Sequence, residues 1–65
     1  MATKVILMAR STKTPIGATG RTGENCPESG VWKVIRAGET APIAEGDTFP
    51  PYKGQSVTWK LIQYA

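Results

Sequence analysis

From Glu24 onward the chain never runs far without a glycine or a proline. Pro27, Gly30, Gly38, Pro42, Gly46, Pro50, Pro51 and Gly54 divide it, and the longest uninterrupted runs are residues 31–37 and 55–65. A helix interior loses roughly 1 kcal/mol at each glycine and 3 kcal/mol or more at each proline, so this spacing removes helices almost everywhere. The last ten residues escape the rule, but they alternate and are rich in β-favouring side chains, which argues for a strand. The class expected is all-β, a small twisted sheet or an SH3-like open barrel of about four strands. Those strands fall near residues 4–10, 31–37, 40–44 and 56–64, and a barrel or strong twist would limit exposed edges.

The two clean runs share a pattern. Ser29–Arg36 and Ser56–Gln63 align as S-x-x-W-K-[V/L]-I-[R/Q], 27 residues apart. With a period of two, Trp32 and Val34 share one face and Val31, Ile35 and Ala37 the other. Likewise Val57, Trp59 and Leu61 oppose Thr58, Lys60, Ile62 and Tyr64. Two strands that each give a tryptophan to one core would produce this pattern; coincidence among β-favouring residues is the alternative. Trp32, Trp59 and Phe49 are therefore expected in the core.

Between these strands lie turns. "CPESG" uses Pro27 to fix φ and Gly30 to release it, "GET" and "EGD" follow, and "TFPPYKG" turns at Lys53–Gly54. Pro42 restricts the 40–44 segment to an edge or a strand start. Residues 11–25 hold three glycines, one proline and four threonines, with Ile16 the single large apolar side chain. That segment has little to bury and is expected to be a loop, which divides the chain into 1–24, a strand plus a flexible basic loop, and 25–65, the β-domain.

Charge follows the same division. Residues 1–23 carry Lys4, Arg10, Lys13 and Arg21 and no acid, for +4; residues 24–65 carry four bases and five acids, for −1, which together make the net +3. The basic third with its threonine hydroxyls suits phosphate contacts, so Lys4, Arg10, Lys13 and Arg21 are the candidate nucleic-acid residues. Base stacking would have to come from Trp32, Trp59 or Tyr52.

Other chemistry finds little support. The chain has no histidine and one cysteine, so neither an internal disulfide nor a zinc set is expected. Cys26 lies between Glu24 and Glu28, which disfavour a thiolate, and it is expected to be structural. The acids Glu39, Glu45 and Asp47 fall in turns and match no calcium loop. "GATGRTGE" matches neither common glycine-rich phosphate motif and precedes no helix. No catalytic residue, cofactor or metal is expected, and the reading is a non-enzyme. The apolar run Val5–Ala9 is too short for a signal h-region or a membrane span, and cytoplasm is the expected compartment.

Two resemblances add to this. "CPESGVWKVI", "IAEGDTFPP" and the late "WKL" resemble the YjzC-like small bacterial proteins over residues 22–63, with the N-terminal 20 residues outside the pattern. The resemblance implies a bacterial or phage origin and a small globular domain, and no activity. "EGDTFPPYKGQSVTW" is similar to the G-D…Y-x-G…W order of small chitin-binding modules, which implies aromatic stacking on sugar rings. The leading expectation is a domain that binds a protein partner or a second copy of itself, with Tyr52, Lys53, Arg36 and Lys60 as contact residues. A nucleic-acid-binding module and a carbohydrate-binding module are the alternatives.

Overall fold

A computed structural model describes residues 13–65. They form one open antiparallel sheet of four strands, β1 (Thr19–Arg21), β2 (Gly30–Val34), β3 (Thr40–Ile43) and β4 (Thr58–Tyr64), in the spatial order β1-β4-β2-β3. The all-β class is as expected. The expected strand at 4–10 lies outside the described residues.

The repeated tetrads form the central pair. β2 and β4 run antiparallel with Trp32 opposite Leu61 and Val34 opposite Trp59, so the two indoles sit diagonally on one face. All four side chains are buried there together with Cys26, Ile43, Phe49 and Val57. Trp32 meets the Phe49 ring edge-on, 4.8 Å between centroids at 69°, a favoured aromatic geometry. Each indole N–H reaches a loop carbonyl, Trp32 Nε1 that of Glu28 at 3.1 Å and Trp59 Nε1 that of Pro50 at 3.0 Å. The polar tips of the two largest core residues are thus satisfied while their ring systems are buried.

Three sequence expectations need correction. Residues 19–21 are a strand, pairing with β4 through Thr19–Lys60, Gly20–Trp59 and Arg21–Thr58. Gly20 is the buried position of that strand, and a Cβ there would run into the Phe49 ring. The burying group is a bare backbone, so no apolar side chain marks the strand in the sequence. The segment is therefore part of the sheet, and Thr22 ties it further: its hydroxyl accepts from Val57 N–H at 2.9 Å and donates to Pro50 O at 3.1 Å.

β2 also ends earlier than residue 37. Gly38 takes a positive φ of 77° and its N–H closes back on Val34 O at 2.7 Å, turning the chain directly after Val34. Finally, Tyr64 does not share a face with Lys60 and Ile62. The β2–β4 register shifts between Val31 and Trp32, leaving Gly30 opposite Tyr64. That bulge moves Tyr64 to the core side, where it packs on the buried cluster and its hydroxyl donates to Thr14 O at 2.8 Å.

Both edges of the sheet are guarded. Val34 N–H donates to Glu39 O, so alternate N–H groups of β3 turn inward and Pro42 occupies an outward position, where it offers no donor. On β1 the outward Arg21 N–H is taken by Glu24 Oε1 at 3.0 Å. Addition of a further strand therefore meets a missing donor on one side and an occupied one on the other.

Candidate functional site

Since one side of the sheet is core, the other is the surface the strands present outward. By alternation, and past the bulge by register, it carries Thr19 and Arg21 from β1, Thr58, Lys60, Ile62 and Gln63 from β4, Val31 and Lys33 from β2, and Thr40 and Pro42 from β3. No carboxylate stands at any of these positions. One row crosses all four strands as Thr19, Lys60, Lys33, Thr40.

The middle of that row breaks a rule of sheet stability. Lys33 is directly opposite Lys60, and cross-strand partners have Cβ atoms about 5 Å apart, where like charges destabilise. This follows from the repeat itself: each tetrad places lysine next to tryptophan, and the antiparallel register that buries both indoles brings the lysines face to face. Lys33 was not among the residues singled out from the sequence. The signal was present in the W-K pairs, but only the register turns two separate lysines into neighbours.

One row away along the strands stand Arg21 and Thr58, with Ile35 N–H donating to Thr58 O at 3.1 Å. The Arg21 guanidinium reaches Thr58 Oγ1 at 3.2 Å, and the Arg36 guanidinium reaches Gln55 Oε1 at 2.6 Å. Both partners are neutral, so each guanidinium is oriented and keeps its charge. Gln55 is itself held in a two-residue turn: Tyr52 and Gln55 exchange both backbone hydrogen bonds, at 2.9 and 3.1 Å, around Lys53 and Gly54 with φ of 51° and 75°. Two positive φ values in sequence are the mark of a type I′ hairpin turn.

The sequence candidates thus separate into groups. Arg21, Arg36 and Lys60 belong to the outward face or its end. Tyr52 is half-buried and Lys53 is exposed at the neighbouring turn, with Lys53 Nζ 5.5 Å from the Tyr52 ring centre. Lys13 lies at the far end of β4, its Nζ 4.2 Å from the centre of the Tyr64 ring. Lys4 and Arg10 lie outside the described residues.

The remaining chemistry is quickly placed. Cys26 is 2% exposed, with its Sγ 3.1 Å from Glu28 O and 3.9 Å from Ile43 O. Among the described residues no group of three or more acid, cysteine or histidine side chains could hold a metal ion, and no helix is long and apolar enough to cross a membrane. Trp59, which supplies the tryptophan of the chitin-module pattern, is 4% exposed and offers no platform to a sugar ring. Trp32 is fully buried, so neither indole can stack on a base. A hollow of about 350 Å³ is walled by Val31, Pro42, Ile43 and Ala44, and a second of about 310 Å³ lies at the arginine end of the outward face. No family model, curated protein or solved structure matches the chain.

Proposed function

We propose that the protein is a small non-catalytic binding module, of bacterial or phage origin and acting in the cytoplasm, whose outward sheet face holds the phosphate backbone of a nucleic acid. The observation that carries this reading is the Lys33–Lys60 pair, two cations held opposite one another on a face with no carboxylate in its strands. Functional sites are where folded chains break a local rule of stability, and this pair is such a break. An anion between the two ammonium groups turns repulsion into attraction. Arg21 and Arg36 continue the positive surface, and Thr19, Thr40 and Thr58 add hydroxyls of the kind that position phosphates. Both tryptophans are core and half-buried Tyr52 is the remaining stacking candidate, so the contact is carried by the backbone and sequence preference is expected to be weak.

Binding of a fluorescently labelled DNA duplex and of the matching single strand, followed by anisotropy over a range of salt, tests the reading. Four cations at phosphates predict a log–log salt slope of about −3.6 for the duplex and about −2.8 for the single strand. Absence of binding at low salt sinks it. A protein partner is the second reading, favoured by Ile35 and Ile62, which are 49% and 37% exposed on or beside the same face. An interaction carried by those residues would be nearly indifferent to salt.

A further inference from the structure

The hollow at the end of the outward face is lined by Arg21, Ile35, Arg36, Ser56, Val57 and Thr58, with a volume of about 310 Å³. Its two charged members come from separate elements, Arg21 from β1 and Arg36 from the turn after β2, and β4 runs between them. Each guanidinium has five N–H donors in a rigid fork. The contacts to Thr58 Oγ1 and Gln55 Oε1 engage one nitrogen of each and fix where the rest of the fork lies. Thr58 accepts from Arg21 through its oxygen, which leaves its own hydroxyl proton to donate elsewhere, and Ser56 adds a second hydroxyl.

We propose that this hollow is a phosphate site, in which Arg21 and Arg36 grip one phosphate group from two sides and the hydroxyls of Ser56 and Thr58 complete its hydrogen bonds. Guanidinium forks match the tetrahedral oxygens of phosphate in pairs, which a single ammonium does not. Ile35, half exposed, gives the site an apolar wall, so a phosphate ester with a sugar beside it fits better than the bare ion. Gln55 is a positioning residue: it carries no charge, and it holds Arg36 from a turn closed by two backbone hydrogen bonds. The inference deepens the reading of the outward face and rests on it for the source of the phosphate.

The test is a titration followed by ¹H–¹⁵N NMR, covering the arginine Nε–Hε signals, with inorganic phosphate and with adenosine monophosphate at constant ionic strength set by chloride. The expected result is saturable shifts at Arg21, Arg36, Ile35 and Thr58. Arg21→Gln and Arg36→Gln are expected to weaken adenosine monophosphate binding at least tenfold, and Gln55→Ala several-fold with no change in net charge. Glu45→Gln, just beyond β3 at the opposite end of the sheet, is expected to leave it unchanged. Non-saturating shifts, or shifts spread evenly over the lysine signals, overturn the site. An oligonucleotide lacking terminal phosphates that binds more tightly than the mononucleotide identifies a backbone phosphate as the natural occupant; the reverse order identifies a free nucleotide, and both support the site. The two proposals fail separately. Saturable mononucleotide binding without DNA binding sinks the reading of the face and keeps the site. DNA binding lost in Lys33→Gln and Lys60→Gln but kept in both arginine variants, with no saturable mononucleotide binding, sinks the site and keeps the face.

Discussion

The two faces of this sheet are built by opposite rules. On the inner face every large group is matched: the indoles lie in one cluster with Phe49, both indole N–H groups reach carbonyls, and no buried side-chain polar atom among the described residues lacks a partner. On the outward face Lys33 is set against Lys60, and the two arginines rest on neutral acceptors. The same two stretches of sequence create both faces, since each W-K pair sends one residue inward and the next outward. Stability is concentrated on one side, which leaves the other free to carry charges that a fold optimised for stability alone would not place together.

The sharpest way to break the comparison is through the inner face. Trp32→Ala removes the fully buried ring that meets Phe49 and one of the two hydrogen bonds to the carbonyl of Glu28, leaving that from Cys26. The expected loss is about 3–5 kcal/mol, in a domain whose whole stability is roughly 3–10 kcal/mol at this length. Chemical denaturation followed by the remaining Trp59 fluorescence should show the unfolding transition moved to much lower denaturant, by an amount matching that loss. A loss under about 1 kcal/mol would mean that the inner face is not where stability resides. Gly20→Ala comes next. Its new methyl meets the Phe49 ring, so the ring must leave its seat against Trp32. Overpacking of this kind costs about 1–3 kcal/mol, and the chemical shifts of the Phe49 ring should move with it.

Third in size is Thr22→Val, which keeps the shape and removes the hydroxyl bridging Val57 N–H and Pro50 O. A buried donor left without its acceptor is expected to cost about 1–3 kcal/mol. Hydrogen exchange at the Val57 amide should accelerate by more than the global change in stability. Equal acceleration everywhere would show that Thr22 acts only through the fold as a whole.

These variants also mark what could be read from residues alone. The core of β2 and β4 was legible because its burying groups are large and alternate cleanly: Trp32 with Val34, and Val57 with Trp59 and Leu61. The turn at Lys53–Gly54 was legible from its glycine. β1 was not, because its one buried residue is Gly20, and a strand that packs by lacking a side chain leaves no periodic signal. Tyr64 was assigned the wrong face because a bulge inserts one residue after Leu61, and alternation has no means of announcing a bulge. The candidate site was legible only in pieces. Arg21, Arg36 and Lys60 could be named, yet what makes them a surface is a register that brings in Lys33 and a strand order that sets β1 beside β4.

The smallest expected effect on stability is the one that tests the contrast most directly. Lys60→Glu replaces a repelling cross-strand pair by an attracting one without touching the core. Cross-strand charge pairs are worth about 0.2–1 kcal/mol in either direction, so the variant should be more stable than the parent. In a domain of this size each 1 kcal/mol corresponds to about 4–8 °C, which places the expected rise in Tm at a few degrees or less. Added salt should raise the Tm of the parent and lower that of the variant, because screening weakens repulsion in one and attraction in the other. DNA binding should fall by more than tenfold in the same variant, since a charge of the wrong sign now stands at the centre of the face. A chain that gains stability while losing its ligand shows that Lys33 and Lys60 are opposed for the sake of binding. A chain that loses stability, with unaltered salt response, shows that the two ammonium groups turn away from each other and that the outward face obeys the same rules as the inner one.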